Sequence, residues 1–383
     1  MTVYCLDARA ATPHFPGIGR YVSGLLREMP AMLQTGETLC CLYEKAHLQS
    51  APDLQPTTQP TNRPTNQPAH QPSIQPATIS ASPFSLAQQW RVPPRLRQAG
   101  ASLYHSPYYL MPYRPGVPTV LTVYDLIPLY FPGLVSPRAA LLFRLATSLA
   151  LRAATRVIAI SEAARQDFIR SFRLPPGKVL SIPLAAGASF HPRPAGEIEA
   201  RRRKYELPEA YALYVGINKP HKNLVRLVQA WAQLPKDAPV LAVGGMWDPH
   251  YPEAKAAAGR LGLGERVRFI GPVDEASLPA LYSGARLFVF PSLYEGFGLP
   301  VLEALACGAP VACSRTSSLP EVAGEAAVYF DPLNIGEIAG AVRRLSEDAG
   351  LRQELGRGGL ERAASFSWQR TAAETFAVYR SLI

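Results

Sequence analysis

An α/β protein built from parallel-sheet domains is predicted from three observations. The chain has 383 residues, enough for two or three domains with sizeable apolar cores. Its second half alternates short apolar runs with helical patterns, which predicts a parallel sheet covered by helices on both faces. One of those apolar runs ends in a glycine loop that opens directly into a helix, Glu295-Gly296-Phe297-Gly298-Leu299-Pro300-Val301-Leu302-Glu303.

The residues around that loop justify the assignment. Arg286 to Ser292 reads as a buried strand ended by Pro and Ser. Two glycines suit a sharp bend or a closely approaching ligand. Pro300 suits a first helical turn, and Gly308 suits the helix end. Free amide groups and the helix dipole make such a start an anion site. Glu295 and Glu303 bracket it. Carboxylates repel phosphate but accept hydrogen bonds from sugar hydroxyls. The combination suits a diphosphate with a hydroxylated ring at each end, as in a nucleotide sugar. Glutamates near a helix start also favour the dipole with no ligand at all.

Composition narrows the partners. A net charge of +10 and a pI near 9.4 invite nucleic acid, membrane surfaces or anionic small molecules. No basic run is interleaved with aromatic residues, so nucleic acid is not expected. Arg201-Arg202-Arg203-Lys204 reads as a solvated helix face. The five cysteines are odd in number and lack CxxC spacing, which argues for a reducing compartment and against zinc or a disulfide framework. With no leader pattern and no run of bilayer length, a cytoplasmic protein is expected, peripheral at a membrane at most.

In chain order, Met1 to Asp7 reads as a strand. Gly17-Ile18-Gly19-Arg20 then leads into the helical pattern Val22, Leu25, Leu26, Met29. This GxG lacks the third glycine of a dinucleotide fingerprint, and an ordinary strand–helix turn explains it equally well. Residues 51–80 carry proline at every fourth position from Pro52 to Pro76. They are expected to form a disordered or polyproline-like surface insertion that buries nothing. The runs ending at His105-Ser106 and Tyr124-Asp125 read as strands with polar carboxyl ends, where ligands sit in open α/β sheets. Asp125 serves equally as a cap or turn former, and His105 as a satisfied core histidine.

The helix from Pro137 to Thr155 carries Leu141, Leu142, Leu145 and Leu149 on one face, with Arg138, Arg144 and Arg152 along it. It is expected to be a core helix, the alternative being a helix lying on anionic headgroups. Leu184 to Pro194 reads as the interdomain linker. Strands at Tyr211–Val215, Val240–Val243 and Val267–Ile270 follow, alternating with helices.

The E-x7-E spacing inside EGFGLPVLEALACGAPV, from Glu295 to Val311, resembles the retaining glycosyltransferases of family 4. Tyr214-Val215-Gly216, Lys222-Asn223-Leu224 and Ser317-Ser318-Leu319-Pro320-Glu321-Val322 extend the likeness. That resemblance implies the GT-B fold, two Rossmann-like domains facing each other across a cleft. Residues 1–185 would form the acceptor domain, 186–365 the nucleotide-sugar domain, and 366–383 a helix crossing back. It implies a hexose moved with retention from a nucleotide sugar, GDP-mannose slightly favoured, to a glycan or lipid-linked acceptor.

The site residues follow from the same resemblance. Gly17, Gly19 and Arg20 would lie by the donor phosphates and acceptor. Lys222 would reach the phosphates with the amides of Gly298 and Leu299. Glu295 would contact the donor sugar and Glu303 the ribose, with Gly216, Val273, Gly296 and Phe297 lining the donor. Relatives often carry a His-Asp pair where this chain has Tyr124-Asp125, so only Asp125 matches. They also place an arginine at the position of Ile217 or His221. No Asp-x-Asp sequence occurs, so neither metal nor cofactor is expected. Three other classes remain open: a nucleotide-sugar epimerase of the same fold, a non-catalytic binding module, and a phosphorylase.

Overall fold

The computed structural model describes residues 1–12, 15–44 and 74–383. The first domain runs β1 (Thr2–Asp7), α1 (Pro16–Glu28), β2 (Glu37–Glu44), β3 (Ile74–Ile79), α2 (Gln88–Gln98) and β4 (Leu103–Ser106). It continues through β5 (Thr119–Val123), α3 (Ile127–Tyr130), α4 (Pro137–Ala153), β6 (Arg156–Ala159), α5 (Glu162–Phe172) and β7 (Val179–Ser181). The second runs α6 (Ala195–Lys204), β8 (Tyr211–Val215), α7 (Leu224–Ala232), β9 (Val240–Gly244), α8 (Glu253–Arg260), β10 (Val267–Gly271) and α9 (Leu278–Gly284). Then come β11 (Leu287–Phe290), α10 (Leu299–Ala306), β12 (Val311–Ser314), α11 (Leu319–Ala323), β13 (Ala327–Phe330), α12 (Ile335–Glu347) and α13 (Ala349–Ala364). A last helix, α14 (Trp368–Arg380), closes the chain.

Two wholly parallel sheets result, ordered β3-β2-β1-β4-β5-β6-β7 and β10-β9-β8-β11-β12-β13. Strand order reverses between β1 and β4 in the first and between β8 and β11 in the second. At such a switch point the loops leaving the carboxyl ends diverge and leave a crevice. β4 and β11, each at a reversal, are buried along their whole length, as a sheet covered on both faces requires.

α14 returns to the first domain. Its Trp368 ring lies so close to α1 that a Cβ on Gly24 would sit 2.3 Å from it. Tyr379 reaches Nδ1 of His105 at 2.5 Å, and Thr122 Oγ1 lies 2.8 Å from the other ring nitrogen. Burial drops the pKa of His105 to about 3. It is a neutral core histidine that ties α14 to the sheet.

Two expectations are corrected. Residues 74–79 of the proline-rich stretch form β3, paired in parallel with Leu39 to Glu44 and burying Ala77 and Ile79. Pro76 is tolerated because β3 is the outermost strand, where a missing N–H breaks no inner ladder. Residues 51–73 lie outside the described residues. The second correction concerns α4, whose four leucines face outward. Thr147, Ala150 and Leu151 are its buried residues, and the short side chains of Thr147 and Ala150 let the helix approach the protein closely.

Candidate active site

The site is built at the second sheet's switch point, from the loops that leave β8 and β11. After β8, Pro220–Lys222 forms a single tight turn closed by Asn223 in left-handed conformation, φ 62°. Asn223 Nδ2 donates to the carbonyls of Pro291 (3.1 Å) and Pro332 (2.7 Å), and the Leu293 amide donates to the His221 carbonyl (2.8 Å). The lysine turn is thereby fixed against the loop after β11.

That second loop runs from Pro291 to Gly298. Gly298 adopts φ 101° and caps α10, a conformation few other residues reach without strain. Of the first α10 positions Pro300 has no amide hydrogen, and Val301 and Leu302 both bond the Gly298 carbonyl, so the amides of Gly298 and Leu299 are the ones without a carbonyl partner among the described residues. Ser317 accepts from the Glu295 amide (2.9 Å), and Ser318 donates to the carbonyls of Glu295 (3.0 Å) and Phe297 (2.7 Å). These serines hold the loop from behind.

Lys222 and Glu295 meet directly, Nζ to Oε1, at 2.6 Å, and Nζ also lies 5.3 Å from the Phe290 ring centre. Glu303 is buried further along α10. Its Oε1 bonds Arg20 of the first domain at 2.5 Å, and Tyr282 donates to Oε2 at 3.3 Å. Burial pushes Glu303 up to about 7, against the lowering effect of Arg20. Asp125 accepts from the Ile127 amide at 3.0 Å. Burial raises its pKa, the Glu295 charge adds to this, and Lys222 and Lys219 oppose it.

The first domain closes on the same loop. A Cβ on Gly296 would sit 2.4 Å from the Tyr124 carbonyl oxygen. Ser161 donates to the Gly296 carbonyl at 2.6 Å, and Tyr294 donates to Asp167 at 2.9 Å. Phe131 packs 5.8 Å from His221, and Tyr130 packs 5.2 Å from Tyr294, ring centre to ring centre. Each hydrogen bond contributes about 0.5–1.5 kcal/mol net, so the loop fastens the two domains together as well as forming the centre of the site.

The remaining sequence-derived residues distribute as follows. Gly216 and Val273 flank Gly244: the Gly216 amide bonds its carbonyl at 2.9 Å, and a Cβ there would sit 2.9 Å from Val273. Gly17 and Gly19 open α1 beside Arg20, with no atom within 4 Å of where a Cβ would stand. Phe297 turns its ring away, into the core against Phe366 at 6.0 Å, leaving only its backbone near the crevice. Leu299 is half-buried against the core. His221 is buried, and desolvation with the charges of Lys222 and Lys219 lowers it to about 3, so it adds no positive charge. Among the described residues no three His, Cys, Asp or Glu side chains gather as a metal set.

Sequence reasoning quoted Ser317 and Ser318 as part of the family likeness but gave them, Lys219 and Tyr294 no place in the site. Lys219 is a further cation at the site, near enough for its charge to lower the pKa of both Asp125 and His221. A signal existed in both places, since Lys219-Pro220-His221-Lys222 and Ser317-Ser318 follow strand ends.

This two-sheet arrangement with a site between the domains is the GT-B fold. The structure superposes on Anabaena HepE in complex with UDP-glucose at TM-score 0.73, 18% identity and full coverage of both chains. It superposes on sucrose-phosphate synthase from Thermosynechococcus elongatus at TM-score 0.72 and 23% identity, covering 100% and 99% of the two chains. The family model Glycosyltransferase Family 4 matches residues 17–185, and Glycosyl transferases group 1 matches residues 197–362. O-antigen chain mannosyltransferase B of Escherichia coli is 33% identical over 296 residues, 75% of this chain and 76% of that protein. Serotype-specific mannosyltransferase WbdA, also from Escherichia coli, is 34% identical over 226 residues, 57% of this chain but 28% of that protein. The chain belongs to the family 4 type of GT-B glycosyltransferases, resembling bacterial mannosyltransferases.

Proposed function

We propose that this glycosyltransferase moves a hexose, with retention of anomeric configuration and without a metal, from GDP-mannose to a glycan or lipid-linked acceptor. The observation that carries the reading is the direct pairing of Lys222 with Glu295, in the loop that opens through Gly298 into α10 at the switch point of the sheet. Cation and amides suit a diphosphate, and they stabilise the charge that develops as it leaves. Glu303 suits the two ribose hydroxyls, and Glu295 the hydroxyls of the transferred sugar. Mannose as the sugar is supported by the two Escherichia coli relatives named above, both mannosyltransferases.

Asp125 stands on the first-domain side, against Gly296 of the glycine loop, where it can orient the acceptor hydroxyl. The hydroxyl oxygen bonds the anomeric carbon as the carbon–oxygen bond to the diphosphate breaks. The hydroxyl proton passes to the departing phosphate oxygen on the same face, so no enzymic nucleophile is required.

The test is nucleotide release from GDP-mannose, GDP-fucose, UDP-glucose and UDP-N-acetylglucosamine, with and without EDTA and a mannan-type acceptor. GDP release from GDP-mannose, stimulated by acceptor and insensitive to EDTA, is expected. Turnover of UDP-sugars alone would overturn the donor. An epimerised sugar formed without nucleotide release would overturn transfer itself.

A further inference from the structure

α4 presents its largest apolar side chains to solvent. Leu141, Leu142, Leu145 and Leu149 are 58%, 66%, 53% and 44% exposed, while Thr147, Ala150 and Leu151 on the opposite side face the protein. Arg138, Leu141, Leu145, Leu149 and Arg152 succeed one another at helical spacings of three and four, so they form one stripe along the helix. An arginine stands at each end of that stripe. Arg144 flanks it, and none of these three arginines meets a carboxylate among the described residues.

The surroundings carry the same character. Eight of the fifteen large apolar side chains exposed among the described residues fall between Phe84 and Leu149. Ring contacts link Phe84 to Tyr108 (6.1 Å), Tyr108 to Tyr109 (4.4 Å) and Tyr109 to Phe143 on α4 (4.9 Å). Residues 80–161 hold eight arginines, no lysine and one acid, Asp125, a net +7 in a chain of +10. Asp125 lies in the cleft, so this stretch of sequence brings no other carboxylate to the outer face.

We propose that this α4 face docks on an anionic lipid surface. A helix of 17 residues is about 25 Å long and carries three arginines, so it lies in the plane of the headgroups. Among the described residues no helix is long and apolar enough to cross a bilayer. The leucines enter the acyl boundary while the arginines extend to lipid phosphates, as amphipathic interfacial helices do. A second copy of the chain fits poorly, because pairing this face with itself sets arginine against arginine. Phe131, at the cleft, precedes the first residue of α4 by six positions. Docking therefore brings the cleft mouth to the headgroup layer, where the acceptor of a lipid-linked glycan is held. This last link rests on the acceptor reading above, but the docking does not.

The experiment is sedimentation of the full chain with vesicles of phosphatidylcholine alone or with phosphatidylglycerol, beside donor binding by calorimetry. The chain is expected to partition onto the anionic vesicles and not the neutral ones, less so at high salt. Leu142→Asp/Leu145→Asp is expected to lower partitioning about tenfold or more. Arg138→Ser/Arg144→Ser/Arg152→Ser should remove the preference for anionic lipid. Both variants should keep wild-type donor affinity and Tm, since every altered side chain is exposed. Equal partitioning of wild type and the aspartate variant overturns the proposal, as does an absence of binding to anionic vesicles. So does a dimer, seen by ultracentrifugation, that the aspartate variant dissociates. Loss of vesicle binding with donor turnover intact separates this proposal from the functional one.

Discussion

Arg20 and Glu303, 283 positions apart in sequence, pair across the boundary between the two domains. A residue of α1 thus bears on the charge of the carboxylate proposed to hold the ribose. Burial raises Glu303 to about 7, and Arg20 holds it lower than burial alone would. Ionised, Glu303 only accepts hydrogen bonds, as two ribose hydroxyls require. Donor affinity is therefore expected to rise as pH climbs through about 7. Arg20→Ala should move that midpoint upward, and Glu303→Gln should abolish it. Stability runs the other way. A carboxyl raised above its ordinary 4.5 contributes fully below that pH and less as pH rises through about 7. Calorimetric Kd against pH checks the first claim, and His221, held near 3, does not titrate in that window. A pH-independent affinity would take Glu303 out of the donor site.

Lys222→Met keeps the bulk of the side chain and removes the charge. Turnover is expected to fall by about 10²–10³, the scale of losing one preorganised stabiliser of developing charge. Affinity for the nucleoside alone should hardly change, because it lacks the diphosphate. Steady-state rates with and without EDTA decide this: full activity in the methionine variant, or turnover abolished by EDTA and restored by Mg²⁺, would sink the idea.

Gly296 and the pair Gly17 and Gly19 should respond in opposite ways to alanine. At Gly296 the new methyl would stand 2.4 Å from the Tyr124 carbonyl. Neither backbone can yield without separating the domains, so a loss of about 1–3 kcal/mol is expected. At Gly17 and Gly19 the methyl meets nothing within 4 Å, and alanine favours a helix by about 0.5–1 kcal/mol. If these glycines leave room for the donor, their alanine variants will be at least as stable as wild type yet poorer in donor KM. Urea melts paired with kinetics read both outcomes.

Arg380 of α14 donates to both oxygens of Glu37, at 2.9 and 2.7 Å. That contact, chiefly, lowers Glu37 from 4.5 to about 2. A lowered carboxyl stabilises the fold above its unfolded pKa and loses the effect as pH falls through its folded one. Arg380→Ala should thus lower Tm at neutral pH, with the gap to wild type closing between pH 4.5 and about 2. A constant gap would assign the effect to packing on Phe376.

Much of the second domain was legible because buried parallel strands and helix starts leave local marks. Phe288-Val289-Phe290, Gly298 and Pro300 each state their role within a few residues. The apolar stripe of α4 was equally visible, but periodicity reports that a stripe exists and not which side meets the sheet. β3 was hidden because Pro76 continues the proline repeat, and edge position, which tolerates proline, is a property of the whole sheet. The pairing of Arg20 with Glu303 depends on folding that joins distant loops.

α14 gives the chain a second crossing between its domains. The first lies between β7 and α6, the second between α13 and α14, and Thr371 Oγ1 on the second donates to the Pro183 carbonyl on the first at 2.8 Å. Two polypeptide links bonded side by side act as a hinge pin. Rotation about that pin would change the gap at a given point in proportion to its distance from the pin, so any opening of the domains would be a swing like that of a book and hardly a slide. The fastenings around Gly296 and the pair of Arg20 with Glu303 are then latches on one door, released by a single angular motion.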